Sequence, residues 1–341
     1  MMTYLTAAWA VSHYPPLERV LRQDLGGRGA LERPSSLPPA VVSLLRFRGT
    51  ATVGARNRSG FAVVPFRQAT ASIRDTTIMS VLRLTQFTDP HLYGDETGSL
   101  RGVVTLSSLT AALAHAQLRD WPPEAVLVTG DIVQDDPAGY AHFRRLFGSL
   151  GMPVLCLPGN HDEPQAMRRE LNGRPFVLGG SLDLGLWRIV LLDSCLAGSA
   201  SGRLSERSLA ELDEALGSAR NRHCLVCLHH HPIDMESRWL DRVGLENAAE
   251  FLNIIDRHRS VRAIVWGHVH QNYDGLRKGV RLLATPSTCA QFLPRADDFA
   301  VDRRPPAYRT LELRADGSIL TEVVWVEQCA AGSSRSACSA A

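Results

Sequence analysis

Long hydrophobic runs are missing from this sequence, and so is a strong net charge. No apolar stretch reaches the length needed to span a bilayer. A formal charge of +2 over 341 residues gives the chain no pull toward nucleic acid or an anionic membrane surface, so neither is expected as a partner. Cysteines are few and unpatterned. There are seven, an odd number at irregular spacing, which argues against a disulfide framework and for reduced thiols in a cytoplasmic protein. The first 78 residues lack lysine and hold only four acidic residues against ten arginines, a formal +6. They also lack any sustained apolar period beyond a brief patch at 40–45, and they carry the breaker-rich Arg33-Pro34-Ser35-Ser36-Leu37-Pro38-Pro39. A secretory leader needs basic residues ahead of its apolar run, but here the patch 4–11 precedes the first arginine, Arg19. A mitochondrial-type presequence shares the Arg-rich, acid-poor composition. The favoured expectation is that 1–78 is a disordered or mis-assigned extension and that Met79 is the natural start.

From Met79 onward the pattern is regular. Forty-five per cent of the whole chain is hydrophobic, enough for a substantial core. Strands are expected at 82–87, 125–129, 154–157, 187–192, 224–228, 261–266, 280–284, 309–314 and 320–326, and helices at 102–118, 137–150, 205–218 and 246–258. Strands alternating with helices make this an α/β domain over 79–328, with later strands adding antiparallel or mixed character. Residues 329–341 are small and polar, and are expected to be a disordered tail.

Five motifs punctuate that domain: Asp89-Pro90-His91, Gly130-Asp131, Gly159-Asn160-His161-Asp162, His229-His230-His231-Pro232 and Gly267-His268-Val269-His270. Each comes just after a stretch that reads as a strand, which would gather them beyond one edge of a sheet. Carboxylate, amide oxygen and imidazole are what a pair of divalent metals binds. Two cations set close together neutralise a phosphate ester and hold a hydroxide between them. Their approach needs a bridging anion, and Asp131 is the natural choice. One metal would then take Asp89, His91 and His270, and the other Asn160, His229 and His268. His161, one residue past Asn160, is placed to protonate a leaving oxygen or steady the transition-state charge, with Asp162 as its orienting partner. Any one of these pieces alone means little; their order after strands gives them weight. His229, His230 and His231 compete for one position, and His229 is favoured as the first after its strand. His115, His142, His223 and His258 read as ordinary packing or surface residues, and Cys224-Leu225-Val226-Cys227 as core thiols in a strand.

Together the five motifs resemble the calcineurin-like metallophosphoesterase superfamily. The likeness is closer to its bacterial class III 3′,5′-cyclic-AMP phosphodiesterases. Carrying it are Phe87-Thr88-Asp89-Pro90-His91-Leu92, Leu228-His229-His230-His231-Pro232, Trp239-Leu240-Asp241, the stretch Leu283-Ala284-Thr285-Pro286-Ser287-Thr288-Cys289-Ala290-Gln291-Phe292, and Tyr308-Arg309-Thr310-Leu311-Glu312-Leu313. It covers about 81–326. The resemblance implies a four-layer α-β-β-α sandwich with two metals, Fe or Mn, with Zn compatible, and hydrolysis of a cyclic nucleotide. The chain departs from such relatives in the helix after Gly202-Arg203-Leu204, where Ser208 and Glu211 replace the Gln and Trp found there. Other readings are a hydrolase of a different phosphodiester, nucleotide or phosphomonoester, and a non-catalytic scaffold of the same fold. Scaffolds lose ligands; here all seven candidates and His161 are present. Substrate choice is expected in the loops around 239–247 and 288–292.

Overall fold

The computed structural model of the protein describes residues 81–119 and 121–327. The expectations for 1–78 and 329–341 lie outside the described residues. Strand β1 (Leu82–Phe87) leads through a small hairpin, β2 (Ser99–Leu100) and β3 (Val103–Val104), into helix α1 (Thr105–Arg119). Then come β4 (Ala125–Thr129), α2 (Gly139–Phe147), β5 (Val154–Leu157), α3 (Pro164–Glu170), β6 (Phe176–Leu178), β7 (Gly180–Leu184) and β8 (Trp187–Leu191). The chain continues through α4 (Glu206–Gly217), β9 (His223–Cys227), α5 (Ala248–Arg257), β10 (Val261–Trp266), β11 (Tyr273–Arg277) and β12 (Val280–Ala284). It ends in β13 (Gln291–Phe292), β14 (Val301–Asp302), β15 (Ala307–Leu313) and β16 (Ile319–Trp325).

Two six-stranded sheets result, in the orders β16-β15-β1-β4-β5-β6 and β11-β12-β10-β9-β8-β7. The centres are parallel: β1, β4, β5 and β6 in the first, and β8, β9, β10 and β12 in the second. Antiparallel strands close three of the four edges, and parallel β6 forms the fourth. The apolar runs on the central strands explain this arrangement, because side chains alternate between faces. In β4, Ala125 and Leu127 enter the layer between the sheets, while Val126 and Val128 face outward into a second core. That inter-sheet core also takes Leu155 and Leu157 of β5 and Ile189, Leu225 and Val265 of the other sheet. Helices α1 and α2 cover the first sheet through Leu109, Leu113, Tyr140, Phe143 and Phe147. Helices α4 and α5 cover the second through Leu209, Leu212, Leu216, Phe251 and Ile255. The four layers α-β-β-α arise from these three cores. Cys224 and Cys227 fall on opposite faces of β9, both buried and free, so their spacing is not that of a metal or redox pair.

The structure adds short elements that the sequence pattern hides. Helix α3 is a seven-residue segment opened by Pro164, too short to show a period. Strands β7 and β11 lie at a sheet edge, half exposed and without apolar alternation. Helix α4 begins as its Ser-x-x-Ser start implies: Ser205 is extended and its side chain accepts the Ser208 N–H.

Candidate metal centre

Five loops that follow β1, β4, β5, β9 and β10 bring the motif residues to one end of the sandwich. Their backbones are unusual. Asp89, His91, Asp131, His268 and His270 all adopt positive φ, between 47° and 66°. Non-glycine residues seldom do so, and such conformations persist where the surroundings hold them for a purpose. The turns also need space. A Cβ on Gly159 would strike the Asp131 carboxylate, and one on Gly267 would lie 2.5 Å from Asp89 Oδ2. Glycine at these points lets one loop press against the carboxylate of the next.

Ligand-type atoms lie within 4.8 Å of one another in four overlapping groups: Asp89 with His91 and His270, Asp89 with Asp131 and His229, His91 with Asp131 and His161, and His229 with His230 and His268. Asp131 links the His91 side to the His229 side: its Oδ2 is 3.8 Å from His91 Nε2 and 3.3 Å from His229 Nε2. Asn160 joins through Oδ1, 3.3 Å from His229 Nε2. All seven expected ligands and His161 therefore converge. His230 enters the same cluster, which the sequence left open. Its Nδ1 is taken by Ser194 Oγ at 2.8 Å.

The donor set suits a cation. His229 Nδ1 lies 2.8 Å from the Thr129 carbonyl and His270 Nδ1 2.6 Å from that of Ala290. A carbonyl only accepts, so Nδ1 carries the proton and a neutral ring turns its Nε2 lone pair into the cluster. His91 Nε2 and His270 Nε2 then face each other at 3.0 Å. His268 Nε2 is buried without a partner, as is His91 Nδ1. Two imidazole Nε2 atoms in contact, orphaned ring nitrogens on His91 and His268 and two buried carboxylates fit bound metal.

Charges depend on burial and proximity. Burial pushes His91 down to about 4, against the pull of Asp131. It drives His230 and His268 well below the usual imidazole range as well. These rings stay neutral, with lone pairs available. Burial would also lower His229, but the Asp131 carboxylate outweighs it and raises His229 to about 9. Asp89 and Asp131, raised by burial, are lowered further by His270 and His229 respectively and remain anionic.

One expected role changes hands. Asp162 does not orient His161. Its oxygens accept the backbone N–H groups of Ile132, Val133 and Gly159 and the hydroxyl of Tyr140, all within 3.2 Å. It is a clamp between the loops after β4 and β5. Gln134 and Asp135 meet His161 instead, Gln134 Nε2 at 2.8 Å and Asp135 Oδ2 at 3.0 Å from its Nδ1. The backbone N–H of His161 donates to Asp131 Oδ1 at 2.9 Å. His115, His142, His223 and His258 lie outside these groups and bond to Tyr308, Gly94, Ala315 and Asp213. Cys195 donates to the Gly159 carbonyl at 3.0 Å, and burial raises its thiol, so it is no nucleophile.

Sequence reading also missed the supports. The stretch after β12, expected near substrate, braces ligands. Ser287 Oγ donates to the Asp89 carbonyl, the Thr288 N–H to that of Thr88, and Ala290 receives His270. Phe292 stacks on His270 with ring centres 4.0 Å apart. Trp239 and Phe299 pack edge-on against Phe292, and the Arg101 guanidinium lies 4.6 Å from the Phe299 ring centre. This aromatic rim was visible only as scattered residues.

Residues 82–272 match the calcineurin-like phosphoesterase family. The 3′,5′-cyclic adenosine monophosphate phosphodiesterase CpdA of Pseudomonas aeruginosa is 39% identical over 252 residues, 74% of this chain and 92% of that protein. Its namesake in Escherichia coli K12 is 40% identical over 244 residues, 71% of this chain and 89% of that protein. Among solved structures, a dimetal phosphatase from Danio rerio superposes with a TM-score of 0.51 at 16% identity, covering 72% of this chain and 99% of that one, which speaks for the fold. On the family match and on 39–40% identity over nearly the full length of those relatives, the chain belongs to the calcineurin-like phosphoesterase family.

Proposed function

We propose that this protein hydrolyses a phosphodiester at a two-metal centre, and that its substrate is 3′,5′-cyclic AMP, released as 5′-AMP. The observation that carries the metal reading is the overlap of the four ligand groups at Asp131 and its neighbours. Asp89, His91 and His270 would hold one ion, Asn160, His229 and His268 the other, with Asp131 shared. Oxygen and imidazole donors without thiolate suit Fe or Mn, and Zn also accepts them. Bound metals would supply positive charge for the phosphate oxygens and activate a water. The chain's own residues supply the rest. His161, oriented through Nδ1 by Asp135, keeps Nε2 to donate a proton to the departing 3′ oxygen. Asp162 fixes the loops that carry Asp131 and His161.

The cyclic-nucleotide reading is supported by the two CpdA relatives. The rim offers a partly exposed ring, Phe299 at 40%, packed on the Phe292 that stacks on His270, and a base can lie against it. A scaffold role is disfavoured because no ligand candidate is lost. We place the protein in the cytoplasm on its five described free thiols; among the described residues no helix is long and apolar enough to cross a membrane.

Hydrolysis in ¹⁸O-labelled water tests the reading. Expected are 5′-AMP with one solvent oxygen on phosphorus and inversion at phosphorus, since water attacks directly. Release of 3′-AMP, or brisk turnover of another diester with none of cyclic AMP, would refute the substrate.

A further inference from the structure

Three stretches that carried the closer resemblance, around Gln86-Phe87-Thr88-Asp89, Ala284-Thr285 and Tyr308-Arg309, are joined by one buried chain of hydrogen bonds. Arg309 is 2% exposed and stands opposite Gln86 in the β1–β15 register. Its guanidinium donates to neutral acceptors: the hydroxyls of Thr285 and Thr321, Asn272 Oδ1 and the Ala284 carbonyl. Burial lowers its pKa to about 10, so it is still charged at neutral pH.

From Arg309 Nε the bonds run to Thr285 Oγ1 (3.0 Å), then from Thr285 Oγ1 to Gln86 Oε1 (2.7 Å) and from Gln86 Nε2 to Thr129 Oγ1 (2.9 Å). Thr129 Oγ1 donates to Thr88 Oγ1 (2.7 Å), and Thr88 Oγ1 to Asp89 Oδ2 (2.6 Å). The direction is forced. A guanidinium only donates and a carboxylate only accepts, and each hydroxyl between has one proton to pass on. The Gln86 amide is fixed too, because its Nε2 faces the Trp266 carbonyl at 3.5 Å, which can only accept. The chain ends on Oδ2, while Oδ1 of the same carboxylate faces His270 Nε2 at 3.4 Å.

We infer that Arg309 is a positioning residue for the metal centre, its buried charge aligning Thr285, Gln86, Thr129 and Thr88 so that Asp89 turns Oδ1 toward the cluster. Aligned donors polarise one another, and partners behind a metal ligand set both its orientation and its affinity. The inference rests on the reading of Asp89 as a metal ligand. It gives the late motifs, which lie beyond the last ligand in sequence, a part in the site.

The test uses the full chain, stripped with a chelator and titrated with Mn²⁺, beside Arg309→Met, Thr285→Val, their double variant, Thr285→Ser and Asp89→Asn. Arg309→Met and Thr285→Val should each bind Mn²⁺ about 10–100-fold more weakly. The double variant should bind no more weakly than the weaker single one, because both cut one path in series. Thr285→Ser keeps the hydroxyl and should regain affinity. Melting temperatures of the metal-free proteins are read alongside, since a merely structural role lowers them without moving Mn²⁺ affinity. Wild-type Mn²⁺ affinity in Arg309→Met and Thr285→Val, with a metal lost in Asp89→Asn, overturns the relay, as do losses that multiply in the double variant. Two metals retained in Asp89→Asn would instead sink the ligand reading beneath it. Should Arg309→Met not fold, Thr285→Val against Thr285→Ser decides, because Arg309 keeps its bonds to Asn272 and Ala284 in both.

Discussion

Nε2 of His229 lies 3.3 Å from Oδ2 of Asp131, with both side chains buried among the other ligand candidates. Without metal this is an ion pair. With metal, both atoms are wanted by cations. On the proposed reading the site holds a proton where a metal would sit, and the first prediction concerns that exchange.

His229 is raised to about 9 in the metal-free protein, Asp131 outweighing burial. Against an unfolded value near 6.5, its contribution to stability is fully present below about pH 6.5 and is lost as pH rises through about 9. The metal-free protein should therefore lose melting temperature across that window. Mn²⁺ binding at pH 7 should release a proton, because His229 must be neutral to ligate. Calorimetry in two buffers of different ionisation enthalpy measures it, and a heat independent of buffer would contradict the exchange.

Asp131 reaches both halves of the cluster, through His91 and through His229. Asp131→Ala should abolish both paired metal binding and turnover, since the charge that lets two cations approach is gone. Elemental analysis and a cyclic AMP assay check this; two metals and a near-normal rate in the variant would remove Asp131 from the bridging position.

His161 is held through Nδ1 by Asp135 and touches the cluster by its remaining face. His161→Ala should keep most metal yet lose on the order of 10²–10⁴-fold in kcat, as expected for a general acid. A nitrophenyl diester, whose leaving group needs no proton, should show a smaller loss. Equal losses on both substrates would argue for charge stabilisation alone. Asp135→Asn should change kcat in the same direction as His161→Ala, whereas Asp162→Asn should lower stability instead.

The aromatic rim supplies a test of the base. Phe299→Ala should raise KM for cyclic AMP about tenfold, within the range for loss of one stacked base, and leave kcat nearly unchanged. Unchanged KM would detach the rim from substrate binding.

A chain shortened to begin at Met79 should fold and turn over like the full one. Among the described residues, 81–119 and 121–327, three apolar cores and every candidate ligand loop are present. Lost solubility or a large fall in rate would make residues 1–78 a necessary part of the protein.

Much of this protein was determined by the sequence alone. The apolar runs at β4, β5, β9 and β10 announce strands buried on both faces, and the candidate ligands come within a few residues of each. Strand ends and residue types are local properties, so the positions of the seven candidates were legible before any coordinates. Edge strands β7 and β11 were not, because an edge exposed to water needs no apolar period. The partners of the ligands were decided only by tertiary structure. Asp162 is the chain neighbour of His161, yet its carboxylate turns to backbone amides of the β4 loop, and Gln134 and Asp135, far away in sequence, meet the imidazole. Arg309 reaches Asp89 only because β15 pairs with β1 and the second sheet brings Thr285 against Gln86. Hydrogen-bond partners of a buried group are chosen by which loops the sheets bring together, and spacing along the chain carries no record of that choice.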